Sequence, residues 1–213
     1  MTHPEVTHSK EPIRLFRSDI LEFFTHIHPA VVLAIWAPVA GYSLVRAIAG
    51  RQEGHSPWYI PAGFLLGLFL WTLAEYTLHR FLFHFPPHTP RQERLAFLIH
   101  GVHHAQPLCR TRLVMPPAAS IPFAAFSYGV ISLMLSAILR IPQWVLPLFS
   151  GVVSGYLAYD MIHYSLHHHP ARSGYLKSLR SHHMRHHSQL PYRRFGVSSP
   201  QWDIVFGTRP AKP

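Results

Sequence analysis

The chain has 213 residues, of which 48% are hydrophobic and 13% are charged. Soluble domains carry about 25% charged residues, so this balance argues against a soluble protein and favours a membrane protein. The net charge of +10 does not indicate nucleic acid as a partner, because the basic residues lie between apolar stretches and form no basic domain interleaved with aromatic side chains. The single Cys109 excludes an intrachain disulfide.

A polar, histidine-rich segment comes first in the chain, over residues 1–28. It lacks the apolar core of a secretory signal peptide, so we expect no cleavage. We therefore interpret residues 1–28 as a polar cytosolic segment and residues 29–213 as the membrane domain.

Four uncharged stretches follow, each close to the roughly 20 residues that cross the hydrocarbon of a bilayer. They are Ala30 to Val45, Trp58 to Ala74, Leu113 to Leu139 and Ile141 to Tyr159. We predict four transmembrane helices. Prolines interrupt the first stretch, for which a buried or interfacial helix is the alternative.

The basic residues are unequally divided between the two sides that four spans define. Sixteen of the 19 Lys and Arg residues lie in the N-terminal segment, in the middle loop or after the fourth span, and these regions share one side. Only Arg46, Arg51 and Arg140 lie on the other. The positive-inside rule therefore predicts cytosolic termini and a cytosolic middle loop.

Histidine clusters follow the second and fourth predicted spans, and so share the cytosolic side. The clusters are His79 with His84, His100 with His103 and His104, His163 with His167, and His183 with His186 and His187. Chance would give the pattern His-x-x-His-His about 0.15 times in a chain of this composition, and it occurs twice. We predict that the four clusters converge on one membrane face.

The spacing within the clusters bears on their geometry. Residues three and four apart share one face of a helix, so each His-x-x-His-His unit can direct three imidazoles at one point. His79 and His84 would be about 140° apart on an ideal helix. Either the helix ends there, which the following Pro-Pro pair favours, or the two residues serve different metals.

Ten imidazoles exceed the ligands of one tetrahedral zinc and indicate two metal ions, with positions left for O2. The alternatives are a pH-sensitive surface or a structural zinc site. Two carboxylates, Glu75 and Asp160, lie in otherwise apolar spans, one helical turn before His79 and His163. We predict that both hydrogen-bond metal ligands, the alternative being that they extend to the membrane interface.

The four clusters resemble, in order, the histidine boxes of the fatty acid hydroxylase and sterol desaturase superfamily, and most of all its fatty acid 2-hydroxylases. The stretch Arg112 to Pro117, the pair Tyr159-Asp160 and the tail from Phe195 to Thr208 are also similar to the family. The resemblance runs from about residue 60 to residue 208.

This resemblance implies an all-α integral membrane protein with about four transmembrane helices and a cytosolic helical cap that carries a histidine-rich dimetal site. Residues 29–213 would form the hydroxylase domain. Carried over by position, the metal ligands would be His79, His84, His100, His103, His104, His163, His167, His183, His186 and His187. Nearby alternatives are His88, His168, His169 and His182, whereas His3, His8, His26, His28 and His55 are expected to be solvated.

The implied reaction is hydroxylation of a lipid acyl chain at position 2, with O2 as the oxidant and iron in the active site, zinc being a possible occupant after purification. Residues 1–28 are too short for the haem domain fused to eukaryotic relatives, so a separate electron-transfer protein and a bacterial cytoplasmic membrane are expected. No nucleotide-binding motif is present in the sequence. We expect Arg112 or another loop Arg to hold the polar end of the substrate.

Two kinds of alternative stay open. A sterol or carotenoid oxygenase or a desaturase would share the metal chemistry and differ in substrate. A membrane metal-binding or transport protein belongs to another class, but it should place polar ligands inside the spans rather than at one face.

Overall fold

The computed structural model describes residues 6, 7, 9–188 and 192–210, so His3 and His8 lie outside the described residues. The described part is helical and contains no strand. Its α-helices are α1 (Asp19–Phe23), α2 (Pro29–Ala49), α3 (Tyr59–Thr77), α4 (Pro90–Ala96), α5 (Val102–Ala105), α6 (Pro117–Ser132), α7 (Val145–His168), α8 (Gly174–Ser188) and α9 (Gln201–Val205). Three π-helical segments are Leu78–Phe83, Phe97–Gly101 and Leu133–Ile138, and a 3-10 turn, Pro142–Trp144, precedes α7.

Four helical segments are long and apolar enough to cross a membrane, which confirms the four predicted spans. They are Pro29–Ala49, Tyr59–Phe83, Pro117–Ile138 and Pro142–His168. The first is continuous although Pro38 lies inside it, because membrane helices tolerate proline when neighbouring groups satisfy the freed carbonyl.

The spans differ from the apolar stretches at their ends. The third begins at Pro117, four residues later than its stretch, because a proline favours the first helical position and keeps the preceding residue extended. Pro116 accordingly has φ −67° and ψ 152°. The second and fourth spans continue to Phe83 and His168, and these extra turns carry histidines.

The chain divides into two compact units. The first comprises Met1–Pro29, Leu73–Val114 and Tyr159–Pro213, and the second comprises Ala30–Thr72 and Met115–Ala158. Every predicted metal ligand belongs to the first unit.

Close helix packing characterises the second unit. A Cβ atom added to Gly67 would lie 2.2 Å from the carbonyl oxygen of Leu148, and one added to Gly151 would lie 2.1 Å from that of Phe64. Only glycine at these positions lets the backbones of α3 and α7 lie so close together. Small residues commonly allow such close packing between membrane helices.

In the first unit, the N-terminal segment packs against the loop that follows α5. The backbone N–H of Thr7 donates to Ala105 (2.8 Å), and that of Ile27 donates to Thr111 (2.8 Å). Arg112 forms an ion pair with Glu22 at 2.7 Å, and its side chain is 1% exposed. The N-terminal segment thus stabilises the loop beside the histidine helices.

Candidate metal centre

The ten predicted histidines lie in two groups of five. We name them the first histidine group, His79, His84, His100, His104 and His186, and the second histidine group, His103, His163, His167, His183 and His187. Within each group, one ring nitrogen from every residue lies within 4.8 Å of all the others. Seven of the ten residues are buried, and the other three, His84, His104 and His187, are partly exposed.

The spacing of the nitrogens fits metal ions. Two nitrogens bound at right angles to one ion, each about 2.0 to 2.1 Å from it, are about 2.9 Å apart. Six pairs of Nε2 atoms lie 2.9 to 3.2 Å apart: His79 with His100, His84 with His186, His103 with His163, His103 with His187, His167 with His183, and His183 with His187. Both groups therefore present a donor set that a metal ion would fill.

A π-helical turn brings His79 and His84 into the same group. The backbone N–H of His84 donates to the carbonyl of His79 at 3.1 Å, which is the i to i+5 hydrogen bond of a π-helix. This bond places His84 above His79, whereas a regular α-helix would direct the two side chains apart. The structure thus contradicts the alternative in which the two residues serve different metals.

The His-x-x-His-His units do not direct their three imidazoles at one point, so that expectation is wrong. In the unit beginning at His100, the pair His100 and His104 joins the first histidine group, and His103 joins the second. In the unit beginning at His183, His186 alone joins the first group. A pair four residues apart is almost aligned along a helix, and the residue between them points to the side, so each unit spans both groups.

Backbone carbonyls of the tail fix two rings of the first histidine group. Nδ1 of His79 donates to the carbonyl of Phe195 (2.5 Å), and Nδ1 of His186 donates to that of Arg193 (2.7 Å). A carbonyl can only accept, so the proton of each neutral ring is on Nδ1, and the lone pair of Nε2 faces the group. This is the usual arrangement behind a metal-binding imidazole.

Asp203 holds this part of the tail in place, and sequence reasoning did not single it out. Its carboxylate accepts the backbone N–H groups of Phe195 and Gly196, both at 2.8 Å. It also accepts Nε2–H of His182 at 3.0 Å and the hydroxyl of Thr208 at 2.7 Å. Burial opposes ionisation, but these hydrogen bonds outweigh it and lower the pKa of Asp203. The available signal was its place in the tail that resembles the family.

The two predicted carboxylates are both buried. Glu75 accepts the backbone N–H groups of Val197 (2.6 Å) and Ser198 (2.8 Å) and also the Ser198 hydroxyl. It therefore acts on the tail segment that contacts His79, rather than on a ring nitrogen itself. Asp160 lies one helical turn before His163 on α7.

Burial keeps the histidines that lie outside the spans neutral. It lowers the pKa of His84 to about 2, and the neighbouring His186 and His104 add to the effect. The pKa values of His100, His103 and His183 are also lowered, first by burial and then by nearby histidines. A neutral imidazole is the form that binds a metal, so the groups suit metal binding at neutral pH.

The nearby alternatives lie outside both histidine groups. His88 is exposed, and His182 is hydrogen-bonded to Asp203. Arg112 does not suit the role expected for it, because its buried guanidinium pairs with Glu22 and donates to the carbonyl of Ile13 (2.6 Å). It stabilises the N-terminal segment and is not available to a substrate.

The fold and the site define a helical membrane protein with a histidine-rich metal centre. Residues 64–208 match the sequence model of the fatty acid hydroxylase family. This match covers more than half of the chain, so the chain belongs to the fatty acid hydroxylase family.

Similar proteins that are named as hydroxylases support membership in this family. A dihydroceramide fatty acyl 2-hydroxylase of Arabidopsis thaliana is 37% identical over 202 residues, which cover 95% of this chain and 82% of the relative. A ceramide very long chain fatty acid hydroxylase of Schizosaccharomyces pombe is 38% identical, covering 89% of this chain and 53% of the relative. A fatty acid 2-hydroxylase of Rattus norvegicus is 37% identical, covering 92% and 56% respectively. The chain spans about half the length of the latter two.

A solved structure has the same fold. The hydroxylase domain visible in full-length scs7p is 35% identical to this chain, with a TM-score of 0.79. The similarity covers 91% of this chain and 70% of that one.

Proposed function

We propose that this protein hydroxylates a lipid acyl chain at carbon 2, with O2 as the oxidant and electrons from a separate protein. The observation that carries the proposal is the convergence of ten imidazoles in two groups, with Nε2 atoms 2.9 to 3.2 Å apart. The relatives are named as fatty acyl or fatty acid hydroxylases, and the names of those from Arabidopsis and rat specify position 2.

The proposed metals are two ions, one in each histidine group, bound by the ten predicted ligands. Bound iron would supply the activation of O2 that an unactivated C–H bond requires. Zinc would accept the same imidazoles during purification, so the metal content of a purified sample need not be the native one.

The protein's own residues would orient and shield this centre. The carbonyls of Arg193 and Phe195 keep the Nε2 lone pairs of His186 and His79 directed inward. His100, His103 and His183 are buried and would limit the access of water to the groups. Glu75 and Asp203 hold the tail that carries those carbonyls, and so position the ligands indirectly.

The balance of the reaction requires a reductant. One oxygen atom of O2 enters the C–H bond of carbon 2 as a hydroxyl group, and the other leaves as water with two protons and two electrons from the donor. A separate electron-transfer protein is the class of donor that we propose.

We propose that the histidine face is cytosolic, because sixteen of the 19 Lys and Arg residues belong to regions on that side. A cysteine introduced at Glu53 should react with an impermeant maleimide on intact cells, and one at Arg91 only after permeabilisation. The opposite labelling pattern would show that the histidine face is not cytosolic.

The relatives described above are eukaryotic, and a bacterial membrane stays a prediction from the sequence.

The test is mass spectrometry of fatty acids from cells that express the chain with a competent electron donor. We expect 2-hydroxy acyl species with the intact protein, none with His103→Ala, and an unchanged amount with His88→Ala, whose side chain is exposed outside both groups. A product that persists in His103→Ala would contradict the ligand assignment. A sterol, carotenoid or unsaturated product would move the chain to a sister activity, and no lipid change would favour a metal-binding protein.

A further inference from the structure

A positively charged cavity lies in the first unit, between α8 and the tail. Its volume is ≈ 190 Å³. It is lined by Tyr175, Ser178, Leu179, Ser181, His182, Arg185, Arg194, Pro200, Arg209 and Pro210. These lining residues include three arginines and no carboxylate, so the cavity has a charge that a bound anion would balance.

Arg194 forms the buried part of this cavity. The residue is 7% exposed, and its Nε atom has no hydrogen-bond partner among the described residues. Its backbone has φ +63°, a conformation that an L side chain adopts only when the surroundings hold it there. A buried guanidinium nitrogen without a partner is costly, and an anionic ligand would remove that cost.

The orientation of Arg194 is set by a chain of hydrogen bonds. Asp203 accepts Nε2–H of His182, so Nδ1 of His182 is free to accept from the Arg194 guanidinium at 3.2 Å. Burial lowers the pKa of Arg194, and the nearby Arg185 and Arg209 lower it further, whereas the carboxylate of Asp203 opposes this shift without cancelling it. Mutual repulsion of three guanidinium groups is unfavourable unless a shared counter-ion lies between them.

We propose that this cavity binds a phosphate group. Arginine guanidinium groups match phosphate oxygens with paired hydrogen bonds, and the hydroxyls of Ser178 and Ser181 offer further donors. The exposed Arg185 and Arg209 would hold the outer oxygens, and the buried Arg194 would hold the inner one. The ligand is either a lipid headgroup or a soluble phosphate, which share this chemistry.

Residues that flank Arg194 connect the cavity to the metal centre. Arg194 lies between Arg193 and Phe195, whose carbonyls accept from His186 and His79. A phosphate bound to Arg194 would therefore stabilise the tail that orients two rings of the first histidine group. This site does not depend on the proposed hydroxylation.

The test is calorimetric titration of the metal-loaded chain in a maltoside detergent at constant ionic strength. The probes are inorganic phosphate and dihexanoyl phosphatidic acid. We expect saturable binding that Arg209→Gln and Arg185→Gln each weaken about tenfold or more, the loss expected for one charge-assisted hydrogen bond. The matched control is Arg91→Gln, an exposed arginine on α4 outside the cavity, which should leave binding unchanged.

The two probes distinguish the sources of the phosphate. Tighter binding of phosphatidic acid would indicate a lipid headgroup, and equal binding would indicate a soluble phosphate. Absence of saturable binding for both probes, or equal weakening by Arg91→Gln, would overturn the proposal. Binding of an acidic protein through Arg185 and Arg209, without binding of either probe, would also overturn the proposal.

Discussion

At the scale of single residues, burial decides the charge of the histidines. His100, His103 and His183 are each 6% exposed or less, and burial lowers their pKa values well below that of free histidine. They therefore remain neutral in the folded protein at a pH where the unfolded chain takes up protons.

This difference predicts a pH dependence of stability. Below about pH 6.5 the unfolded state binds protons at these histidines and the folded state does not. The free energy of unfolding of the metal-free protein should thus be level above about pH 7. It should fall on acidification by up to about 1.4 kcal/mol per pH unit for each such histidine. Denaturant titrations from pH 7.5 to 5 would measure it, and a stability that does not change over this range would contradict the buried neutral state.

Asp203 predicts a second effect at this scale. Asp203→Asn replaces one carboxylate oxygen by an amide group, and since each oxygen accepts two hydrogen bonds, two of the four donors lose their acceptor. We expect the free energy of unfolding to fall by about 2 kcal/mol and metal retention to decrease. Thermal unfolding and metal analysis measure these changes. Glu53→Gln, at an exposed loop carboxylate, removes the same charge and should have neither effect; a similar loss in both variants would show that charge alone is responsible.

At the scale of helices, contact between α3 and α7 depends on glycine. Gly151→Ala would place a methyl group 2.1 Å from the carbonyl oxygen of Phe64, so the helices must separate. We expect destabilisation of about 1 to 3 kcal/mol, measured by thermal unfolding in detergent. The matched control is Gly129→Ala on α6, where a Cβ meets nothing within 4 Å. Equal stability of the two variants would contradict the close packing.

The elements also show what the sequence could predict. Hydropathy identified all four spans because each contains a long, mainly apolar stretch without charged residues. The histidine pattern identified residues that the structure brings together. It did not predict the division of His103 and His186 from their neighbours, since that depends on how separate helices face each other. The π-helical turn at Leu78–Phe83 was also missed, because an i to i+5 bond has no sequence signature comparable to a helix cap.

Buried polar contacts were the least predictable feature. Arg112 is a residue type that often binds anionic ligands, which is why the sequence suggested that role. Its actual partner, Glu22, lies 90 residues away in the sequence. Asp203 likewise reaches His182, 21 residues earlier. Such pairs depend on tertiary contacts that neither periodicity nor local spacing specifies.

At the scale of the whole molecule, distant parts of the chain meet in the first unit. The histidine groups draw ligands from the ends of two spans, from the π-helical segment Phe97–Gly101 with α5, and from α8. The tail orients two of the rings. Each histidine group combines residues from three of the four sequence clusters, and neither could form from one helix alone. The metal centre therefore depends on the folding of this entire unit.

The measurement that tests the central claim most directly is the number of metal ions per chain. Protein loaded with iron under anaerobic conditions and then desalted should contain two ions by elemental mass spectrometry. His163→Ala combined with His167→Ala removes two donors of the second histidine group and should leave one ion, while His88→Ala should keep two. One ion in the unaltered protein, or two in the double variant, would contradict an assignment of one metal to each group of five histidines.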